Sequence, residues 1–150
     1  MSISVASRPR LPGVAAPLRA LIAAALALEG GRPGEITVLL ADDVALRALN
    51  QRWRGIDRAT DVLSFPYARR DRRIDGDLAV SLERMAEQAK RYRVTRGREL
   101  ARLVVHGTLH LAGLDHHGTA ERAQMRRREG RALRAGAAHI RKLDRALARA

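Results

Sequence analysis

A chain of 150 residues is the length of one ordinary domain, able to bury a core without disulfide or metal staples; with only Trp53, Phe65, Tyr67 and Tyr92 aromatic, that core must be built from Leu, Ala, Val and Ile. The same scarcity argues against stacking many nucleobases on aromatic platforms, and the absence of cysteine excludes disulfides and thiolate metal sites, as fits a reducing compartment. The formal net charge of +13 comes from 29 basic residues, all arginine except Lys90 and Lys142, and favours contact with polyanions, phosphate above all, over the plainer alternative of a solvated arginine surface.

Ser2 to Val5 reads as a short first strand, followed by a loop broken by Pro9, Pro12 and Gly13. Pro17 suits the first turn of a helix running to about Glu29 and ended by Gly30, Gly31 and Pro33. Arg8 and Arg10 ahead of this Ala/Leu-rich stretch resemble a leader. Yet Arg19 interrupts the stretch and the apolar run Ala20 to Leu28 is nine residues long, against roughly 18 for a membrane span. It reads as an amphipathic core helix.

Glu35 to Ala41 is a β-branched apolar run of strand length, and Asp42 or Asp43 can cap the next helix, which carries Val44, Leu46, Leu49 and Trp53 and closes at Gly55. Thr60 to Phe65 alternates like a strand and stops at Pro66, and the charged segment Ala68 to Asp75 reads as an exposed loop. Gly76 to Ser81 is a further strand, with Ser81 placed to cap a helix from about Leu82 to Tyr92. Another helix starts near Thr95, carries Leu100, Leu103, Val104 and Leu111 at helical spacing, and ends where Gly113 offers a left-handed cap; one more runs from about Thr119 to Leu133. The basic ending Ala138 to Ala150 is weakly amphipathic and leaves three fates open: helix, frayed tail or RNA-contacting extension. With no repeat or dividing linker, residues 1–150 read as one α+β domain, a small sheet of about four strands packed with about five helices.

Residues 106 to 117 read HGTLHLAGLDHH and hold four of the chain's five histidines. On a helix, residues four apart share a face, so His106 and His110 can aim two imidazoles at one point. Gly113 ends the helix, and the chain can then turn back so that His116 supplies a third ligand. Three neutral imidazoles leave the fourth tetrahedral position of a zinc ion for water, whose pKa can fall to about 7; nickel, copper or iron would also be accepted. A buried pair of structural histidines is the bland alternative, but the helix stop between the second and third is harder to explain that way. His117 reads as a bystander near solvent, and His139 as surface. Metallopeptidases with a His-Glu-x-x-His helix place their general base after the first ligand. Here that position is Gly107, which removes the carboxylate and leaves room for backbone or substrate close to the metal. Asp115 can either orient an imidazole from behind or cap the following helix.

HGTLHLAGLDH at 106 to 116 resembles the His-Gly-x-Leu-His-Leu-x-Gly-Tyr-Asp-His signature of the YbeY family, bacterial metal-dependent endoribonucleases that serve as rRNA maturation factors. LNQRWRGIDRATDVLSFP at 49 to 66 is similar to the family's second block, Gly76-Asp77 opens a third, and ITVLLADD at 36 to 43 and the Met125 to Glu129 spacing also fit. The likeness covers roughly residues 35–133, leaving the N-terminal stretch and the basic tail outside it. It departs from the pattern at Leu114, where the family has tyrosine, and at Trp53, where another aromatic is usual.

The resemblance implies a compact α+β fold with a zincin-like site of three histidines, the ligands falling on His106, His110 and His116. It also places the family's cleft arginine on Arg54, which could hold a scissile phosphate and neutralise developing charge. It further implies a cytoplasmic, single-strand-specific enzyme bearing one zinc ion (Zn2+) per chain. Such an enzyme would act on the small ribosomal subunit, in 16S rRNA 3′-end maturation and ribosome quality control, with ribosomal-protein contacts and no membrane. Either water or the RNA 2′-hydroxyl would be the nucleophile. The rival from another class is a non-catalytic ribosome-assembly factor with a structural zinc and a basic rRNA-docking surface; an open fourth position argues against it, because structural zinc sites are usually closed by four protein ligands.

Overall fold

The computed structural model describes residues 2–68, 71–115 and 117–150. Among these, four strands and six helices follow the order β1 (Ser2–Ser7), α1 (Ala15–Leu28), β2 (Arg32–Ala41), α2 (Asp43–Arg54), β3 (Val62–Pro66), β4 (Arg73–Ser81), α3 (Leu82–Tyr92), α4 (Arg96–Leu111), α5 (Thr119–Ala135) and α6 (Ala137–Ala148). The helix boundaries have local causes. Asp42, Ser81 and Thr95 accept the backbone N–H of Ala45, Arg84 and Arg98 at 2.9, 3.2 and 3.1 Å, capping α2, α3 and α4. After α4 the chain turns at Gly113 (φ 97°), where the N–H of Leu114 reaches the carbonyl of Leu109 at 3.0 Å.

The sheet order is β1-β2-β4-β3, with β1, β2 and β4 parallel and β3 antiparallel to β4 at one edge. Side chains alternate between the two faces, and the faces are covered unequally. Ile36, Val38 and Leu40 of β2 with Ile74, Leu78 and Val80 of β4 join Leu18, Leu21, Ile22, Leu100, Val104 and Leu143 in the main core, between the sheet and α1, α4 and α6. Among the described residues the opposite face holds a small cluster, in which Ala41, Leu63 and Ala79 of the sheet meet Leu46 of α2.

The structure shortens one expected loop and decides one open segment. The segment expected as a charged loop over Ala68 to Asp75 ends early, because β4 already begins at Arg73. There Arg73 pairs with Arg32 and Ile74 with Pro33, which puts Ile74 in the core, while Arg73 and Asp75 bridge each other at 3.1 Å. Charge on alternate residues is compatible with a strand when the other face is buried. Of the three fates left open for the ending from Ala138, it takes the helix, docked, which makes six helices among the described residues rather than about five: Ile140, Leu143, Ala146 and Leu147 are buried against the main core, and Asp144 accepts the Gly97 N–H at the start of α4 (3.0 Å). Its other face remains exposed and basic.

Candidate active site

The histidine-bearing helix α4 runs beneath β3 and β4. Gly107 makes that approach possible. A Cβ there would lie 2.8 Å from Leu78 Cδ2, 3.1 Å from Ser64 Oγ and 3.3 Å from Val62 Cγ2. The glycine therefore faces the sheet, and what it accommodates is β3 and β4 packing rather than a substrate beside a metal. A glutamate at this position would be driven into the core. Ser64 Oγ donates to the Gly107 carbonyl at 3.2 Å, tying the edge strand to the helix at the level of the site.

With Gly107 turned inward, His106 and His110 emerge together at the open margin of the helix. Their Nε2 atoms stand 3.1 Å apart, with ring centroids 4.7 Å apart and planes inclined at 70°. Behind His106, its Nδ1 meets the carboxylate of Glu129, a buried residue of α5. A carboxylate is acceptor only, so Nδ1 donates to it, and Nε2 is the His106 nitrogen turned toward His110. The sequence alone gives Glu129 no role; the available signal is its place four residues after Met125, on the same face of an arginine-rich helix.

His106 and His110 line a cleft of about 480 Å³ together with Arg54, Thr60, Asp61, Val62, Ser64, Pro66, Asp115 and His117. Arg54 is the last residue of α2, just before the left-handed Gly55 (φ 69°). It is thus a helix-end cation and a cleft residue at once. Its Nη2 donates to the Ser64 carbonyl (2.5 Å), on the edge strand, and its guanidinium carbon lies 5.3 Å from the Phe65 ring centroid. That bond uses one donor of a group that carries several.

Asp61, which the sequence reading did not single out, accepts the Val62 N–H at 2.8 Å while its own carbonyl accepts from Ser81 N–H at 2.8 Å, fixing the entry to β3. Asp115 lies 3.0 Å from His117 Nε2, so it orients that mostly exposed ring. The cap of α5 is Gly118, without a side-chain bond. His116, the expected third ligand, lies outside the described residues, and among the described residues no group of three or more His, Cys, Asp or Glu converges as a metal site. Two of the three expected ligands and Arg54 thus share one cleft, while His139 is half-buried on α6 and does not line that cleft.

A family model described as Endoribonuclease YbeY matches residues 14–136. The chain is 49% identical to the Endoribonuclease YbeY of Roseiflexus sp. (strain RS-1), the match covering 69% of this chain and 71% of that protein. It is 42% identical to the Endoribonuclease YbeY of Anaeromyxobacter sp. (strain Fw109-5), over 90% of this chain and 72% of the relative. The fold is similar to the solution structure of TM1509 from Thermotoga maritima, with a TM-score of 0.64 and 26% identity over 95% of this chain and 89% of that one.

Proposed function

Since the chain belongs to the Endoribonuclease YbeY family, we propose that it is a zinc-dependent, single-strand-specific endoribonuclease that cleaves small-subunit rRNA precursor near its 3′ end. The observation that carries this reading is the convergence of the His106 and His110 Nε2 atoms, 3.1 Å apart, in the cleft that Arg54 also lines.

The donor set fits a metal ion. Two imidazole nitrogens on one tetrahedral zinc, each about 2.0–2.1 Å from it, stand roughly 3.3–3.4 Å apart, within a few tenths of the 3.1 Å found. Glu129 behind His106 is the carboxylate that metal-bound imidazoles generally have behind them. His106, His110 and His116 would hold the ion. Bound there, zinc supplies Lewis acidity toward a phosphoryl oxygen and makes water more acidic.

The remaining work belongs to the protein's own groups. Glu129 holds the proton on His106 Nδ1 and keeps its ring in one orientation. Arg54 binds the scissile phosphate and offsets the charge that develops on its oxygens. Asp61, which lines the same cleft, holds the start of β3 through its bond to Val62 N–H. The basic surface draws single-stranded rRNA to the cleft.

Action in ribosome quality control, contacts with ribosomal proteins and a cytoplasmic location belong to the same proposal; among the described residues no helix is long and apolar enough to cross a membrane. The test compares wild type with His110→Ala and Arg54→Ala on a small-subunit rRNA precursor. Loss of cleavage in both variants is expected, and equal cleavage by either would overturn the assignment. Ribosome binding by wild type without any cleavage would favour the assembly factor instead. A 2′,3′-cyclic phosphate on the products would identify the RNA hydroxyl as nucleophile, and its absence would identify water.

A further inference from the structure

Among the described residues, the second face of the sheet is covered by α2 at one end, and beside α2 it forms a groove of about 550 Å³ lined by Thr37, Leu39, Trp53, Phe65, Tyr67 and Asp77, among others. This groove gathers three of the chain's four aromatic residues. Trp53 is 63% and Tyr67 52% exposed. A protein with so few aromatic rings leaves two of them open to water at one place, although burying each would have contributed about 1.5–3 kcal/mol or more.

The groove and the histidine cleft are the two sides of one strand. Val62, Ser64 and Pro66 of β3 line the cleft, whereas Phe65 and the following Tyr67 line the groove. β3 is the edge strand, so a chain leaving the cleft need only cross that edge to enter the groove. Arg54 stands at the crossing, in the cleft and bonded to the Ser64 carbonyl, with its guanidinium over the Phe65 ring. The residue before it, Trp53, lines the groove, and the Arg52 guanidinium carbon lies 5.2 Å from the Trp53 ring centroid. Cations and rings therefore alternate along residues 52 to 54. The groove's carboxylate, Asp77, is engaged by the Tyr67 hydroxyl, which pushes the phenol's pKa up.

We propose that this groove is a nucleobase-stacking subsite for single-stranded RNA, with Trp53 and Tyr67 as its platforms and Arg52 and Arg54 contacting the flanking phosphates. The inference rests on the nuclease reading for its direction, since it places the stacked bases beside the phosphate held in the cleft. Aromatic rings interleaved with arginine are what single-strand binding requires, because every base has a π-face and a duplex hides it. The small number of rings limits the subsite to one or two bases.

Trp53 is the only tryptophan, so its emission reports on the groove directly. The full chain, as purified and again with chelator added, is titrated with a ten-nucleotide single strand, with the same strand carrying abasic sites, and with a duplex. Saturable quenching by the intact single strand alone is expected. Trp53→Ala and Tyr67→Ala should each weaken its binding, read by anisotropy of a labelled strand, by about tenfold. Binding of the abasic strand should be unchanged, and Trp53→Phe should retain most of the affinity.

Unchanged Trp53 emission on a strand that anisotropy shows to be bound would overturn the proposal. So would an equal loss for abasic and intact strands, or retained RNA affinity in Trp53→Ala accompanied by lost association with a purified ribosomal protein. The two readings fail separately. Quenching without any cleavage leaves the subsite and removes the nuclease; cleavage that needs His110 and Arg54 but ignores the rings does the reverse.

Discussion

Replacing Glu129 with glutamine keeps the shape of a side chain that is only 8% exposed and removes its charge. The carboxylate receives the Nδ1–H of His106 and thereby orients the Nε2 that faces His110. Glutamine can still offer a carbonyl oxygen to that N–H, but the bond is no longer charge-assisted, and its amide N–H2 must find another acceptor in a buried setting. Removing a carboxylate from behind a ligand imidazole typically lowers metal affinity about 10- to 100-fold, equivalent to about 1.4–2.7 kcal/mol. Competitive zinc titration against a chromogenic chelator reads this directly. Thermal melting in excess chelator separates metal binding from folding, since the isosteric change should leave the metal-free melting temperature almost unmoved. Zinc affinity within twofold of wild type would refute the assignment of Glu129 as the residue that orients His106. A variant already unfolded without metal would make Glu129 a packing residue, and Glu129→Ala, which leaves the ring unsupported, should lose affinity at least as far as Glu129→Gln.

Three further outcomes test the frame around the site. Gly97→Ala would set a Cβ 2.2 Å from Asp144 Oδ1 and 2.8 Å from the Asp144 backbone nitrogen, which cannot swing away, so α6 must shift and the melting temperature should fall by the equivalent of about 1–3 kcal/mol. Leu143→Ala, at a fully buried position on α6, should cost about 2–5 kcal/mol in denaturant unfolding, while Lys142→Ala on the exposed face of the same helix should stay within about 0.5 kcal/mol. The Tyr67 phenol, held neutral by its bond to Asp77, should ionise above the ordinary tyrosine value of about 10, and Asp77→Asn should bring it back, read by ultraviolet pH titration. Because the folded-state pKa is raised, whatever stability this bond contributes is present below the unfolded value and is lost as pH climbs through the folded one.

The histidine pair was legible in the sequence because a helix fixes its own periodicity. Once Thr95 and Gly113 mark the ends of α4, residues 106 and 110 must share a face, whatever packs against it. β3 was legible for a similar reason, its alternation ending at a proline. Gly107 signals in the sequence that backbone or substrate comes close, but which of the two depends on the neighbour that approaches, and here that neighbour is the sheet. The start of β4 was hidden by charge: Arg73 and Asp75 look like loop until β2 is set beside them and Ile74 is seen to point the other way. The last helix is not legible in the sequence alone because its stripe of Ile140, Leu143 and Leu147 is too short to hold a helix by itself and gains its stability from α1 and α4.

By itself, then, the sequence determined what is local: the helix that carries His106 and His110, the caps that bound the elements, the arginine excess and the YbeY likeness of two blocks. Only the tertiary structure decided what stands next to those residues. Glu129 reaches His106 across 23 positions of sequence and Arg54 meets Ser64 across ten, and Trp53, Phe65 and Tyr67 converge from a helix, an edge strand and the residue that follows it. Local periodicity sets the direction of a side chain, but its partners are set by which faces the chain must bury together.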